Sequence, residues 1–127
     1  MRSDTAETSE ELAAAGATAP RVRLDDIKAN IAFSHTFNAG EASRAISGIS
    51  RTESGTALDH VTLCLMVMRN GYVVIGKSAV ASLENFDQAK GDHFAREDAL
   101  SQLWPLEGYA LRNRLQAEAA GLPGGAA

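Results

Sequence analysis

Two side chains capable of acid–base chemistry, His93 and Glu97, lie four residues apart in a segment with helical periodicity. At 100° per residue, this spacing places both on one face of a helix. A carboxylate beside an imidazole can assist a general base or orient a metal ligand. Two ligands do not complete a zinc site, and the other two histidines stand at no recognisable ligand spacing. We therefore interpret His93 and Glu97 as a structural polar pair, with Arg69 or Arg96 neutralising the carboxylate. We predict no catalytic residue, no metal and no cofactor.

Residues 71–78 match the phosphate-loop pattern G-x-x-x-x-G-K-S, which can hold the phosphates of a nucleotide. That motif must follow a strand and open a helix. Its four variable positions here are Tyr-Val-Val-Ile, residues that are typical of a strand and rare in a loop. We interpret the match as a coincidence within a hairpin and predict no nucleotide hydrolysis.

Two further groups of residues could bind a partner. The first lies around the predicted hairpin and could meet the phosphates and base of a nucleotide. The second lies within six residues and contains Trp and Tyr, which are typical anchors of protein interfaces, although a packed helix corner explains it as well. These candidates are Arg69, Tyr72 and Lys77 in the first group, and Trp104, Glu107 and Tyr109 in the second.

The strongest local signal is the nearly unbroken apolar run VTLCLMVM at 61–68, followed by Asn70-Gly71 and the β-branched run VVI. Asn-Gly is the preferred pair for a two-residue type I′ turn. The pattern predicts a hairpin of strands 61–69 and 72–79. The first strand lacks alternation, so we expect it to be covered on both faces. A buried helix over 57–68 is the alternative.

The remaining periodic segments predict helices on one face of this hairpin. Helical spacing of Leu24, Ile27 and Ile31 predicts a first helix from Asp25 that fades at 37–40. A short helix follows at 41–46, and Gly48 and Gly55 indicate a flexible connection. A longer helix is predicted over 84–104, and its apolar face carries Phe86, Ala89, His93, Leu100 and Trp104. The last predicted helix begins at Pro105 and ends near Gly121. The fold class is therefore α+β, a small single domain with one antiparallel β-hairpin packed against three to four helices.

Composition excludes several classes of protein. The 127 residues include 12 basic and 16 acidic side chains, for a net charge of -4, so duplex DNA binding is not expected. No apolar run reaches the roughly 18 residues that a membrane span needs. The single cysteine, Cys64, cannot form an intrachain disulfide and is interpreted as a small core residue. An acidic start without an apolar run indicates no signal peptide, and we expect a cytoplasmic protein.

The ends of the chain differ in composition from its middle. Residues 1–20 hold four acidic and one basic side chain and no aromatic residue, so they cannot bury enough apolar surface to offset their ordering entropy. We predict a disordered acidic tail at 1–20, one folded domain at 21–121 and a flexible C-terminus at 122–127.

Four motifs carry a resemblance to a known family: NGYVVIG at 70–76, SLENFD at 82–87, AREDA at 95–99 and WPLEGY at 104–109. In this order and spacing the chain resembles the phage N4 Gp49/phage Sf6 gene 66 family of tailed phages and prophages, over about residues 21–116. The family usually has Gly-Glu-Ser-Ala-Cys where this chain has Gly76-Lys77-Ser78-Ala79-Val80. The glutamate of relatives at position 77 argues further against a phosphate loop. The resemblance supplies no catalytic residue.

These observations predict a small, non-enzymatic phage or prophage accessory protein in the host bacterial cytoplasm. We expect it to act by binding, either to a host or phage protein or by self-association as a homo-oligomer. An apolar hairpin that a small domain does not fully cover would supply the surface, through a β-edge or through the Trp104–Tyr109 segment. The alternative is a small-molecule binder that sequesters a nucleotide signal at Arg69, Tyr72 and Lys77.

Overall fold

The computed structural model describes residues 19–48 and 57–121. These residues form three α-helices, two short 3-10 helices and one three-stranded antiparallel sheet, which confirms the α+β class. The predicted tail at 1–20, apart from its last two residues, and the predicted C-terminus at 122–127 lie outside the described residues, as does most of the predicted connection around Gly55. In chain order the elements are α1 (Leu24–Ala29), β1 (Ile31–Asn38), α2 (Ala39–Ser47), a 3-10 helix (Ala57–His60), β2 (Val61–Met68), β3 (Val73–Ala79), a 3-10 helix (Leu83–Asn85) and α3 (Gln88–Ala119).

The described chain divides into two compact units. One contains residues 19–30 and 101–121, that is α1 and the C-terminal part of α3, with Ile27 and Leu103 buried. The other contains residues 31–48 and 57–100, that is the sheet, α2 and the N-terminal part of α3. The prediction of one domain over 21–121 stays a prediction. None of the described helices combines the length and apolar composition that crossing a membrane requires.

The predicted hairpin is present, with strands one residue shorter at the turn, and residues 61–68 are strand rather than helix. The turn differs from the predicted type I′. The Gly71 N–H donates to the Met68 carbonyl at 2.9 Å, and the Met68 N–H donates to the Tyr72 carbonyl at 2.8 Å. Only Gly71 has a positive φ, at 91°, while Asn70 accepts the Tyr72 N–H through its side chain at 2.9 Å. This is the three-residue loop with a glycine bulge, and it requires one left-handed residue instead of two.

A third strand, β1, replaces the second half of the predicted first helix. Helix α1 ends at Ala29, and residues 31–38 pair antiparallel with β2, from Ile31 opposite Met68 to Asn38 opposite Thr62. The sequence IAFSHTFN alternates large apolar or aromatic residues with small or polar ones, which is the period of a strand. The helical spacing of Ile31 with Leu24 and Ile27 was therefore misleading.

Helix α3 is continuous, so the predicted break at Pro105 is wrong. Pro105 lies inside the helix, where it has no N–H to donate to the carbonyl four residues earlier. The predicted apolar face is right at Leu100, which is buried, but wrong at Ala89 and His93, which are exposed. The side chains that are buried belong mostly to small residues, which hydropathy patterns weigh little. They are Gly91, Ala95, Ala99, Leu100 and Leu103.

Small residues let α3 approach one face of the sheet closely. A Cβ at Gly76 of β3 would overlap the Ala95 carbonyl and stand 2.6 Å from the Ala99 nitrogen. A Cβ at Gly91 of α3 would stand 2.5 Å from the Thr62 hydroxyl of β2. The same sheet face supplies the buried side chains of Cys64, Met66, Met68 and Val74. Cys64 is thus a core residue, as predicted.

A buried polar network fixes the end of the sheet where β1 leads into α2. Asn38 caps α2 by accepting the Glu41 N–H at 3.0 Å, and its amide donates to the Asp59 carbonyl at 2.7 Å. Arg44 of α2 forms an ion pair with the Asp59 carboxylate at 2.7 Å. Gln88 of α3 accepts from Asn38 and donates to Thr62, each at 3.2 Å. These contacts tie β1, α2, β2 and α3 together at this end of the sheet.

Candidate functional site

The structure does not join His93 and Glu97. His93 is exposed and lies edge-on to the ring of Phe94, with centroids 5.3 Å apart. Arg96 donates to the Ser34 hydroxyl at 2.8 Å. Within residues 19–48 and 57–121, no hydrogen bond or ion pair links His93 to Glu97, and no three His, Cys, Asp or Glu side chains cluster as metal ligands would.

Arg69, Tyr72 and Lys77 do not converge on one pocket. Arg69 and Tyr72 flank the hairpin turn, where Tyr72 is 54% exposed. Lys77 lies opposite Leu63 in the sheet. It is four residues from Val73 at the turn end of β3, a distance of about 13 Å along the strand. The three positions are therefore spread along the hairpin rather than gathered at one point.

Trp104, Glu107 and Tyr109 lie within one helix rather than at a helix corner. Glu107 accepts two hydrogen bonds from the Asn30 amide, at 3.3 and 3.2 Å. Trp104 is half-buried, and its indole N–H finds no acceptor among the described residues. Tyr109 is 71% exposed. These side chains thus differ in environment and form no common anchor cluster.

A half-open cleft of about 270 Å³ lies in the unit that contains α1. Its walls carry Arg21 and Arg114 together with the carboxylates of Asp26 and Glu107. Asp26 accepts the Arg23 backbone N–H at 3.2 Å, and Glu107 is held by Asn30. Charges of both signs line this cleft, so its electrostatics favour no particular class of ligand.

The sheet presents a second face, opposite the face on α3, and we call it the open sheet face. Because side chains alternate along a strand, every second residue of each strand belongs to it. It is predominantly apolar, and His35 and Lys77 are its only ionisable residues. Its members are Phe33, His35 and Phe37 of β1, Val61, Leu63, Leu65 and Val67 of β2, and Val73, Ile75, Lys77 and Ala79 of β3.

Large apolar side chains on the open sheet face are exposed to solvent. Phe33 is 52% exposed, Val73 47% and Ile75 55%. The β2 members are half-buried because strands flank them on both sides, whereas the alternate β2 residues on the α3 side are fully buried. Among the described residues, β2 is therefore fully covered on the α3 side, and the predicted cover of its second face is only partial. Three strands of seven residues give a face of roughly 330 Å².

The outer edge of β3 is partly blocked to an added strand. Asp98 of α3 accepts the Lys77 backbone N–H at 2.9 Å, so that donor is not available to an added strand. At the end of β3, the Val80 N–H donates to the His60 carbonyl at 3.3 Å, and the His60 ring hydrogen-bonds the Val80 carbonyl at 2.8 Å.

The chemistry of the open sheet face is suited to binding. It carries no cysteine, serine or carboxylate, and its single imidazole, His35, lies 5.4 Å from the ring of Phe33 in an edge-to-face contact. Sequence reasoning recognised the apolar strand but missed the face. The available signal was the alternation in β1, which places Phe33, His35 and Phe37 on one side.

Comparison with known proteins places the chain in a family. No curated protein and no solved structure matches it at a significant level. The sequence profile of the family described as "Phage protein (N4 Gp49/phage Sf6 gene 66) family" matches residues 22–115, which is well over half of the chain. This match spans β1, the hairpin and nearly all of α3. The chain therefore belongs to the phage N4 Gp49/phage Sf6 gene 66 family of phage proteins.

Proposed function

We propose that this phage protein is a non-enzymatic accessory protein that acts by binding through its open sheet face, either to a host or phage protein or to a second copy of itself. One observation carries the proposal: an apolar face on three strands leaves Phe33, Val73 and Ile75 about half exposed. The largest exposed apolar patch on a monomer is often functional.

The free energy of burying apolar surface favours binding of a partner to this face. Burying apolar surface stabilises a complex by about 25 cal/mol per Å², so a face of this size can supply several kcal/mol of gross free energy. Ordered strands present it without the entropy cost of folding a loop, which lowers the cost of binding. A partner with an apolar surface of its own, inside the infected host cell, fits this chemistry.

Photo-crosslinking tests the proposal in cells that produce the full chain. A photo-crosslinking amino acid at position 75 replaces an exposed residue of the open sheet face, and the same amino acid at position 89 replaces an exposed residue of α3. We expect position 75 to form a covalent adduct with a protein at several times the yield of position 89. Equal yields at the two positions would contradict a binding role for this face.

A further inference from the structure

We infer that the occupant of the open sheet face is a second copy of this chain, packed face to face about a two-fold axis parallel to β2. The inference rests on the proposed function and names its partner. Two sheets that pack face to face lie about 10 Å apart with nearly aligned strands, as in a β-sandwich. Such a pairing uses the same surface on both copies.

The register of the sheet makes this face compatible with itself. Across the sheet, the residues form rows in which β2 is central: Phe33–Val67–Val73, His35–Leu65–Ile75 and Phe37–Leu63–Lys77. Rotation about an axis parallel to β2 exchanges β1 with β3 and keeps each row opposite itself. The β2 members Leu63, Leu65 and Val67 then meet their own equivalents at the centre of the interface.

The charges on the face also favour this axis. It places the Lys77 ammonium of one copy over the Phe37 ring of the other, where a cation is attracted to the face of the ring. His35 then lies over Ile75. A two-fold axis perpendicular to the strands, through the middle row, would instead place Lys77 over Val73, where no aromatic ring faces the ammonium. No carboxylate lies on the face to attract a basic partner in place of a second copy.

The size of the face predicts a dimer that dissociates on dilution. A standard stable interface buries about 800 Å² on each partner, and the planar area of this face is less than half of that. The expected complex therefore lies at the weak end of specific association. We expect its mass to approach twice 13.4 kDa at high concentration and to fall toward 13.4 kDa on dilution.

Sedimentation velocity of the purified full chain over a wide concentration range tests the inference. We expect Ile75→Lys and Val73→Glu to shift the monomer–dimer equilibrium at least tenfold toward monomer, because each buries a charged side chain in the interface, the glutamate against the face of the Phe33 ring. Both residues are about half exposed, so these variants should melt at the temperature of the unmodified protein. Ala89→Lys, which adds the same charge on exposed α3, should leave the dimer unchanged.

Mass spectrometry of the crosslinked dimer then tests the axis. In a mixture of isotopically labelled and unlabelled chains, we expect the adduct from position 75 to join β1 of the other copy near His35. An adduct on β3 of the other copy would overturn this axis. A monomer at every concentration that crosslinks to a different protein in cells would overturn the second copy as occupant and leave the proposed function intact. A monomer that forms no crosslink at position 75 would overturn both.

Discussion

Gly76 and Gly108 are both glycines in regular secondary structure, but they stand in opposite surroundings. At Gly76 the backbone of α3 comes so close that a Cβ would stand 2.6 Å from the Ala99 nitrogen and 2.9 Å from the Ala99 Cβ. At Gly108 a Cβ would meet nothing within 4 Å. This contrast distinguishes a glycine that the packing requires from one that merely loosens a helix.

We predict that Gly76→Ala destabilises the protein by about 2–3 kcal/mol, because backbone atoms cannot move aside as a flexible side chain can. The matched control Gly108→Ala should stabilise it by about 0.5–1 kcal/mol, since alanine is the better helix former. Urea denaturation measures both free energies of unfolding. A harmless Gly76→Ala would contradict the close approach of α3 to β3.

The buried ion pair supplies a second prediction about single residues. Arg44 pairs with Asp59 at 2.7 Å, and the two side chains are 14% and 4% exposed. Removing one partner of a buried pair leaves a charge in a poorly solvated place, so Arg44→Met should cost about 3 kcal/mol. Arg112→Met, on the exposed surface of α3, should change the free energy of unfolding by less than about 0.5 kcal/mol. Similar costs for the two variants would be inconsistent with this ion pair.

Secondary structure elements show what sequence patterns can and cannot predict. The hairpin was predictable because Asn70-Gly71 separates two apolar runs, and a turn signal of this kind is local. Strand β1 was not predictable. Ile31 continues the helical spacing of α1, and the conformation of residues 31–38 is decided by pairing with β2, which is distant in the chain. The face of α3 was misassigned for a related reason: contact with a sheet selected Gly91, Ala95 and Ala99 for their small size.

Pro105 allows a test of the continuous helix. If α3 runs unbroken through this residue, Pro105→Ala restores a backbone donor and removes an unfavourable ring, so we predict stabilisation of about 1–3 kcal/mol. If a second helix began at Pro105, the proline would occupy a favourable first position, and its replacement would be neutral or destabilising. The melting temperature of Pro105→Ala, compared with that of Gln102→Ala in the same helix, distinguishes these outcomes.

At the scale of the whole molecule, the open sheet face explains why β2 is apolar on both of its faces. Helix α3 covers only one face of the sheet. Strand β2 is apolar at both sets of alternate positions, so its sequence indicates that both faces need a partner. The face that α3 covers could not be predicted from the sequence, because it depends on the contacts of Gly76 with α3 and of Gly91 with β2, which are distant in the chain.

The open sheet face also gives a prediction for the molecule as a whole. Ile75→Lys should abolish most of the protein's association while leaving its melting temperature within a few degrees of the original, because Ile75 is 55% exposed. Size-exclusion chromatography with light scattering measures the loss, and thermal denaturation provides the control. Association that survives this substitution would assign the contact to another surface.

The most direct test of the binding role is the ratio of photo-crosslinking yields from positions 75 and 89 in cells that produce the full chain. Both positions are exposed, but only position 75 lies on the open sheet face. We expect a discrete protein adduct from position 75 at several times the yield from position 89. Equal yields, or an adduct only from position 89, would contradict the open sheet face as the binding surface.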